Sequence, residues 1–257
     1  MNLFFLVLAR DEKFVDEKAK ELQSLGVSYL IVCGKKINRS DAIFREPKGK
    51  YDAINFGSKF IPEDVDVVAL NDVDTKLRNV WASLKYFDFK NVDLVFAKVS
   101  TEGPTKFFNV LLDLIRKKLI ITANGELMLV RRNTLMTILP IKPCKAEDSY
   151  ILYKVLEGKH KAVFCEKSVA LTVRTKRVEM EEAYRRKTVC GIYQALGYTK
   201  PPFRIRAFYA LLPFSSPLLL VFGRKGYFWT KGILLGVNDY LRGDRSGTWQ
   251  TTYMENH

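Results

Sequence analysis

The chain has 257 residues, 47% of them hydrophobic and 27% charged, with no low-complexity tract and no visible internal repeat. That composition is globular, and that length supports one large α/β domain with an appendage. The net charge of +14 favours an anionic partner: a nucleic acid, an acidic bilayer surface or a phosphorylated substrate. The four cysteines (Cys33, Cys144, Cys165, Cys190) form no CxxC pair, and His160 and His257 are the only histidines. A zinc site and a disulfide framework are therefore not expected, and the cysteines read as reduced packing residues in a cytosolic compartment.

Residues 2–9, apolar throughout, predict a buried first strand. They lack the basic lead-in and the small-residue cleavage site of a signal peptide. Helical spacing of Phe14, Val15, Ala19, Leu22 and Leu25 predicts a helix over 11–25, stopped by Gly26. A strand is predicted over 27–33, a helix over about 52–60 and a strand over 65–71. This alternation is that of a doubly wound parallel sheet. Further along, the pattern predicts helices over 80–87, 107–119, 146–156 and 178–196. Between them it predicts strands over 92–97, 126–130, 162–165 and 169–173.

The strand VDVVALND ends abruptly in Asp72 and Asp74, one residue apart. Open α/β sheets bind ligands at the carboxyl ends of their strands. Two carboxylates there can hold a divalent ion that also binds phosphate oxygens; they can equally form a polar turn. Glu147 and Asp148 open a predicted helix, where the macrodipole favours any carboxylate, so capping and chemistry both remain open. The basic run Arg185-Arg186-Lys187 reads either as an anion-neutralising group or as a solvated helix face paired with Glu181 and Glu182.

Composition shifts after Pro201-Pro202. Residues 207–223 carry no charge, contain Pro213 and Pro217, and are flanked by Arg204, Arg206, Arg224 and Lys225. A span needs about 20 apolar residues, and two prolines disfavour a straight one. A helix or broken helix pair lying in a membrane interface fits the aromatic residues and basic flanks; a buried hairpin is the other reading. The expected division is a catalytic domain over 1–200 and a membrane-interacting segment over 201–257.

Several motifs stand in a fixed order. They are Ala9-Arg10-Asp11-Glu12, then PKGKYDAINFG with Gly49, Lys50 and Asn55, then Asp72-Val73-Asp74. TANGELMLVRR, KAEDSYILYKVLEG and EEAYRRKTVCGIYQAL follow. Over residues 2 to about 197 this order resembles the family-two inverting glycosyltransferases of the GT-A fold. It is most similar to membrane-associated members related to cellulose synthase and polyprenyl-phosphate sugar synthases.

The resemblance implies a Rossmann-like mixed sheet flanked by helices. It makes Asp74, with Asp72, the ligands of Mn2+ or Mg2+ bridging a donor diphosphate. It makes Asp148 the general base, with Glu147, Gly125 and Arg131 on the acceptor side. Ala9, Arg10, Glu12, Lys50, Asn55, Asp72, Arg185 and Arg186 become donor-binding residues. The implied partners are a GDP- or UDP-linked sugar, with mannose the best single guess, a polyprenyl-linked acceptor and a membrane surface.

The chain departs from the relatives in two places. Their Q-x-x-R-W motif is replaced by Tyr184-Arg185-Arg186-Lys187-Thr188, which argues against processive polymer synthesis. Their strand-two Asp pair is replaced by Cys33-Gly34-Lys35, which leaves the donor base open. A basic nucleic-acid-binding protein and a metal-dependent nucleotidyltransferase are the alternatives. The first lacks any RNP, zinc or helix-turn-helix pattern, so no nucleic-acid partner is expected; the second lacks its Gly-rich nucleotide loop after strand one.

Overall fold

The computed structural model describes residues 1–89, 91–102, 106–173 and 177–247, with the backbone alone at Glu102, Phe107 and Val173. The predicted tail therefore extends ten residues beyond the described part. Among the described residues, eight strands form one mixed sheet: β1 Leu3–Ala9, β2 Ser28–Cys33, β3 Ala42–Phe44, β4 Val67–Asp72, β5 Thr75–Arg78, β6 Val92–Glu102, β7 Leu127–Arg131 and β8 Lys161–Val173. Their spatial order is β3-β2-β1-β4-β7-β6-β8-β5. β1 to β4 run parallel, and β7 is antiparallel to β4 and β6.

The central strands are apolar on both faces because both faces are covered. In β1, Phe4, Leu6 and Leu8 enter one core, with Val68 and Leu70 of β4. Phe5, Val7 and Ala9 enter the other, with Val67 and Ala69. All four cysteines are buried and free.

The helices are α1 Val15–Ser24, α2 Lys50–Gly57, α3 Trp81–Leu84, α4 Lys106–Leu119, α5 Arg132–Ile138, α6 Glu147–Glu157, α7 Met180–Tyr198, α8 Phe203–Ser215 and α9 Gly223–Leu241. Three short elements escape the sequence pattern: β3, β5 and α5. The two strands predicted over 162–173 are one, β8, which pairs with β6 and, in its second half, with β5. The predicted strand 92–97 runs on to Glu102 against β8, a pairing that only tertiary proximity supplies.

By length and composition, Phe203–Leu241 is apolar enough to cross a membrane. It is nevertheless not straight. A 3-10 stretch, Ser216–Phe222, joins α8 to α9. Thr230 donates to the carbonyl of Ser216 at 2.8 Å. A continuous helix would place residues fourteen apart at about 21 Å. The chain turns back at Gly223, whose φ of 61° suits a residue without Cβ. α9 then lies on α7 so closely that a Cβ at Gly232 or Gly236 would come within 2.5 Å of the carbonyl oxygens of Glu182 and Arg186. Beyond α9, Gln194 donates to the carbonyls of Asp244 (3.0 Å) and Ser246 (3.2 Å), and Lys145 pairs with Asp244. This brings Gly247 against Gly49 and Tyr51.

Candidate active site

The register places Leu8 beside Asp72 and Asn71 beside Leu127, so the carboxyl ends of β1 and β4 and the start of β7 form one edge. Two helices begin there. Lys50 opens α2 after Gly49, whose φ of 122° turns the chain inward, and Glu147 opens α6. The Lys50 ammonium hydrogen-bonds Asp72 and lies 3.8 Å from Glu147 Oε1. Asp148 follows Glu147, its Oδ1 accepting from the Ser149 amide at 2.6 Å. Across from them, a Cβ at Gly125 would sit 3.4 Å from Asp148 Cβ and 3.5 Å from Glu147 Oε1. Asp72 and Glu147 therefore meet at Lys50, with Asp148 and Gly125 beside Glu147.

The Asp72–Asp74 turn is fixed from below. The buried Lys18 ammonium donates to the Thr75 carbonyl and to Glu21, and Glu21 accepts from the Leu77 amide. Thr75 Oγ1 donates to the Asp72 carbonyl at 2.8 Å, and Asn71 donates to Thr75 Oγ1 at 2.9 Å and to the Glu126 carbonyl. Each donor here has an acceptor, so the turn holds one geometry before any ligand arrives.

The electrostatics follow from packing carboxylates together out of water. Burial lifts the Asp72 carboxyl to about 6 against the pull of Lys50, with Asp74 adding repulsion. Burial also lifts Glu147 to about 7, again opposed by Lys50 and reinforced by Asp148. Asp148 is raised by burial, held back by the Ser149 amide and pushed up by Glu126. Burial disfavours the Lys50 ammonium, but Asp72 and Glu147 outweigh it and raise its pKa. Lys187 is lowered to about 6 by burial and then by Lys50.

Asp72 Oδ1 is buried with no hydrogen-bond partner among the described residues. Asp74 is solvent-exposed on the same turn. No three His, Cys, Asp or Glu side chains cluster as a metal cage among the described residues. A bare carboxylate oxygen beside an exposed carboxylate suits a divalent ion that arrives with a diphosphate and takes one or two protein ligands.

Ala9 and Arg10 lie at the end of β1, beside Asp72, where the Val73 amide donates to the Leu8 carbonyl at 3.1 Å. Five expected residues are placed differently. Glu12 is on the surface, paired with Lys35. Asn55 spends its amide on both sides of Ile141, donating to its carbonyl (2.9 Å) and accepting from its N–H (2.8 Å). Arg131 pairs with Val67 at the far end of β4 and donates to the carbonyls of Val92 and Phe87, so it stands at the opposite sheet edge. Arg185 stacks on Trp229 at 3.8 Å, and Arg186 makes a bidentate pair with Asp239 at 2.6 and 2.8 Å.

Both arginines thus fasten α9 to α7, while Lys187 of the same run is the one whose field meets Lys50, Glu147 and Asp72. Successive helical residues diverge by about 100°, so a basic run cannot aim all three charges one way. Glu126 is a further acidic neighbour of Asp72 and Asp148 that motif reading passed over. Its signal was its place at the start of an apolar strand.

No known protein family's sequence profile matches this chain, and no curated protein matches it by sequence. Solved structures do match by shape. A mannosyltransferase, PcManGT from Pyrobaculum calidifontis, solved with GDP-Man and Mn2+, aligns over 93% of this chain and 86% of its own, with TM-score 0.67 and 13% identity. GalNAc-T7, solved with UDP, GalNAc and Mn2+, aligns over 95% of this chain and 56% of its own, with TM-score 0.57 and 8% identity. A mycobacterial protein aligns over 76% of this chain and 75% of its own, with TM-score 0.55 and 16% identity.

The fold is GT-A.

Within that GT-A fold, the Asp72–Asp74 turn closes β4 at the sheet's carboxyl edge, and Asp148 lies in the first turn of α6, beside Gly125.

Proposed function

We propose that this chain is a metal-dependent inverting glycosyltransferase of family two. It moves a hexose, mannose by preference, from a nucleoside-diphosphate sugar to a lipid-linked acceptor at the cytosolic face of a membrane. The observation that carries this reading is the meeting of Asp72 and Glu147 at Lys50, with Asp148 beside Glu147, at the carboxyl edge of the sheet. A burial-raised carboxyl such as Asp148 is a stronger base than a solvated one once ionised.

Asp148 takes the proton of the acceptor hydroxyl as that oxygen attacks the anomeric carbon from the face opposite the leaving group. The bond from that carbon to the diphosphate breaks as the new one forms, so the carbon inverts and no sugar–enzyme bond is needed. Asp74 and Asp72 Oδ1 are the groups that would hold the divalent ion. When bound, that ion supplies charge neutralisation on the departing diphosphate. Lys50 adds positive charge from the protein side, and Lys187, lowered to about 6 by burial and Lys50, takes up its proton as the charge of the diphosphate arrives. PcManGT, with GDP-Man and Mn2+ in its structure, supports the choice of donor. The basic, aromatic-flanked segment from Phe203 supports the membrane acceptor.

The test is a thermal-shift screen of GDP-, UDP- and dTDP-sugars with and without Mn2+, followed by Asp148→Asn. The variant should keep a metal-dependent shift and lose transfer. Full transfer by Asp148→Asn removes the base. Release of pyrophosphate in place of nucleoside diphosphate makes the protein a nucleotidyltransferase.

A further inference from the structure

α4 buries polar side chains beside Phe108 and leaves apolar ones outside. Asn109, Asp113 and Arg116 are buried, while Val110 is 49% and Leu114 54% exposed. The inward polar groups find partners there. Asn109 donates to Thr101 Oγ1 at 2.7 Å, and Arg116 pairs with Asp113 at 3.0 Å. Arg116 is also among the charges that act on Asp148. A helix on the outside of a water-soluble domain normally turns its apolar stripe inward. Here Lys106, Val110, Leu114 and Lys117 follow one another along the outer face, an apolar centre with an ammonium at each end. Lys117 also pairs with Glu166 at the surface.

The C-terminal hairpin packs against the start of α4. Phe108, in the first turn of α4, stacks on Trp229 with ring centroids 4.3 Å apart and meets Phe222 edge-on at 5.6 Å. An open groove of about 510 Å³ between the two elements has Phe108 and Phe222 as its aromatic lining and Arg224 and Lys225 as its basic lining. Beyond it, Phe214 and Val221 are each at least 80% exposed, and Leu218 is 71% exposed. Apolar side chains left bare beside lysines and arginines are the pattern of a helix lying at headgroup level, with its cations on lipid phosphate.

We propose that the outer face of α4 and the tip of the 211–225 hairpin form one docking surface for a bilayer containing anionic phospholipid. The α4–hairpin groove takes a lipid phosphate headgroup. The inference deepens the membrane part of the function proposed above and does not use its sugar chemistry.

The experiment uses the full chain without nucleotide sugar. Its vesicles are phosphatidylcholine alone and phosphatidylcholine mixed with phosphatidylglycerol, each at low and high salt. The wild type should sediment with the mixed vesicles at least tenfold more strongly than with the neutral ones, and salt should weaken the binding. Val110→Asp/Leu114→Asp and, separately, Phe214→Asp/Val221→Asp should each reduce it at least tenfold. Both pairs should keep wild-type melting temperature and metal-dependent donor binding, since all four positions are exposed.

Wild-type vesicle binding by the α4 pair overturns the proposal, as does equal binding to neutral and mixed vesicles. Concentration-dependent self-association that disappears in the α4 pair, with no vesicle binding, shows that a second copy covers the face and also overturns it. A chain that binds mixed vesicles but transfers no sugar leaves this inference standing and sinks the enzymatic reading. A chain that transfers sugar to a detergent-solubilised acceptor but ignores vesicles does the reverse.

Discussion

Replacing Lys50 with methionine removes the ammonium that bonds Asp72 and lies 3.8 Å from Glu147 while keeping most of its length. The cost of stranding those carboxyls has a ceiling, because each can escape by taking up a proton. The folded-state values are about 6 for Asp72 and about 7 for Glu147, both above the unfolded reference near 4. Raised carboxyls contribute fully to stability below the unfolded value, and that contribution is lost as pH climbs through the folded values. Without Lys50 both values rise further, and the loss continues.

The added cost is therefore at most about 1.4 kcal/mol for each pH unit above a group's wild-type value. At pH 8 that is two units for Asp72 and one for Glu147, together about 4 kcal/mol. The Lys50 side chain is 27% exposed, so water absorbs part of this, and about 2 kcal/mol is expected. At pH 6 the expected cost is near zero. Urea unfolding of the chelator-treated protein at pH 6, 7 and 8 measures it. A loss that is the same at all three values would show that Lys50 acts through packing, and the charge argument would fail.

The pH dependence of transfer should show an acid limb above the ordinary carboxylate range, since burial raises both Glu147 and Asp148. Glu147→Gln, which removes a like charge next to Asp148, should move that limb to lower pH in a kcat/KM profile. Arg186→Ala should leave donor affinity within about twofold and cost under about 1 kcal/mol, because its exposed pair with Asp239 only ties α7 to α9. Lys187→Met should weaken the donor at least tenfold in calorimetry, and the opposite ranking would restore Arg186 to the donor site. Asn55→Ala strips both hydrogen bonds from Ile141 and should cost about 2 kcal/mol in thermal unfolding with donor affinity retained. A loss of donor binding without loss of stability would put Asn55 back against the ligand.

The sequence by itself determined the central layer of this protein and its acidic edge. A strand buried on both faces must be apolar at every position, so β1, β4 and β7 are legible without partners, and so is the abrupt end of β4 in Asp72. The first-turn carboxylates of α6 are legible in the same way, since a helix start has local signals. Short elements are not: β3, β5 and α5 exist because a neighbouring strand or helix is already in place, and β8 runs unbroken because β6 supports its first half and β6 and β5 its second.

Only the tertiary structure decided where each charge points. Arg131 goes to the wrong edge for a ligand because β7 is antiparallel, a choice no local pattern records. Arg185 and Arg186 turn to α9, while Lys187 is buried within the field of Lys50, because one helix cannot send consecutive residues the same way. Composition announced a basic, apolar tail; its fold-back at Gly223 and the exposed apolar face of α4 required the packed chain, because burial belongs to an assembly of elements and not to any one of them.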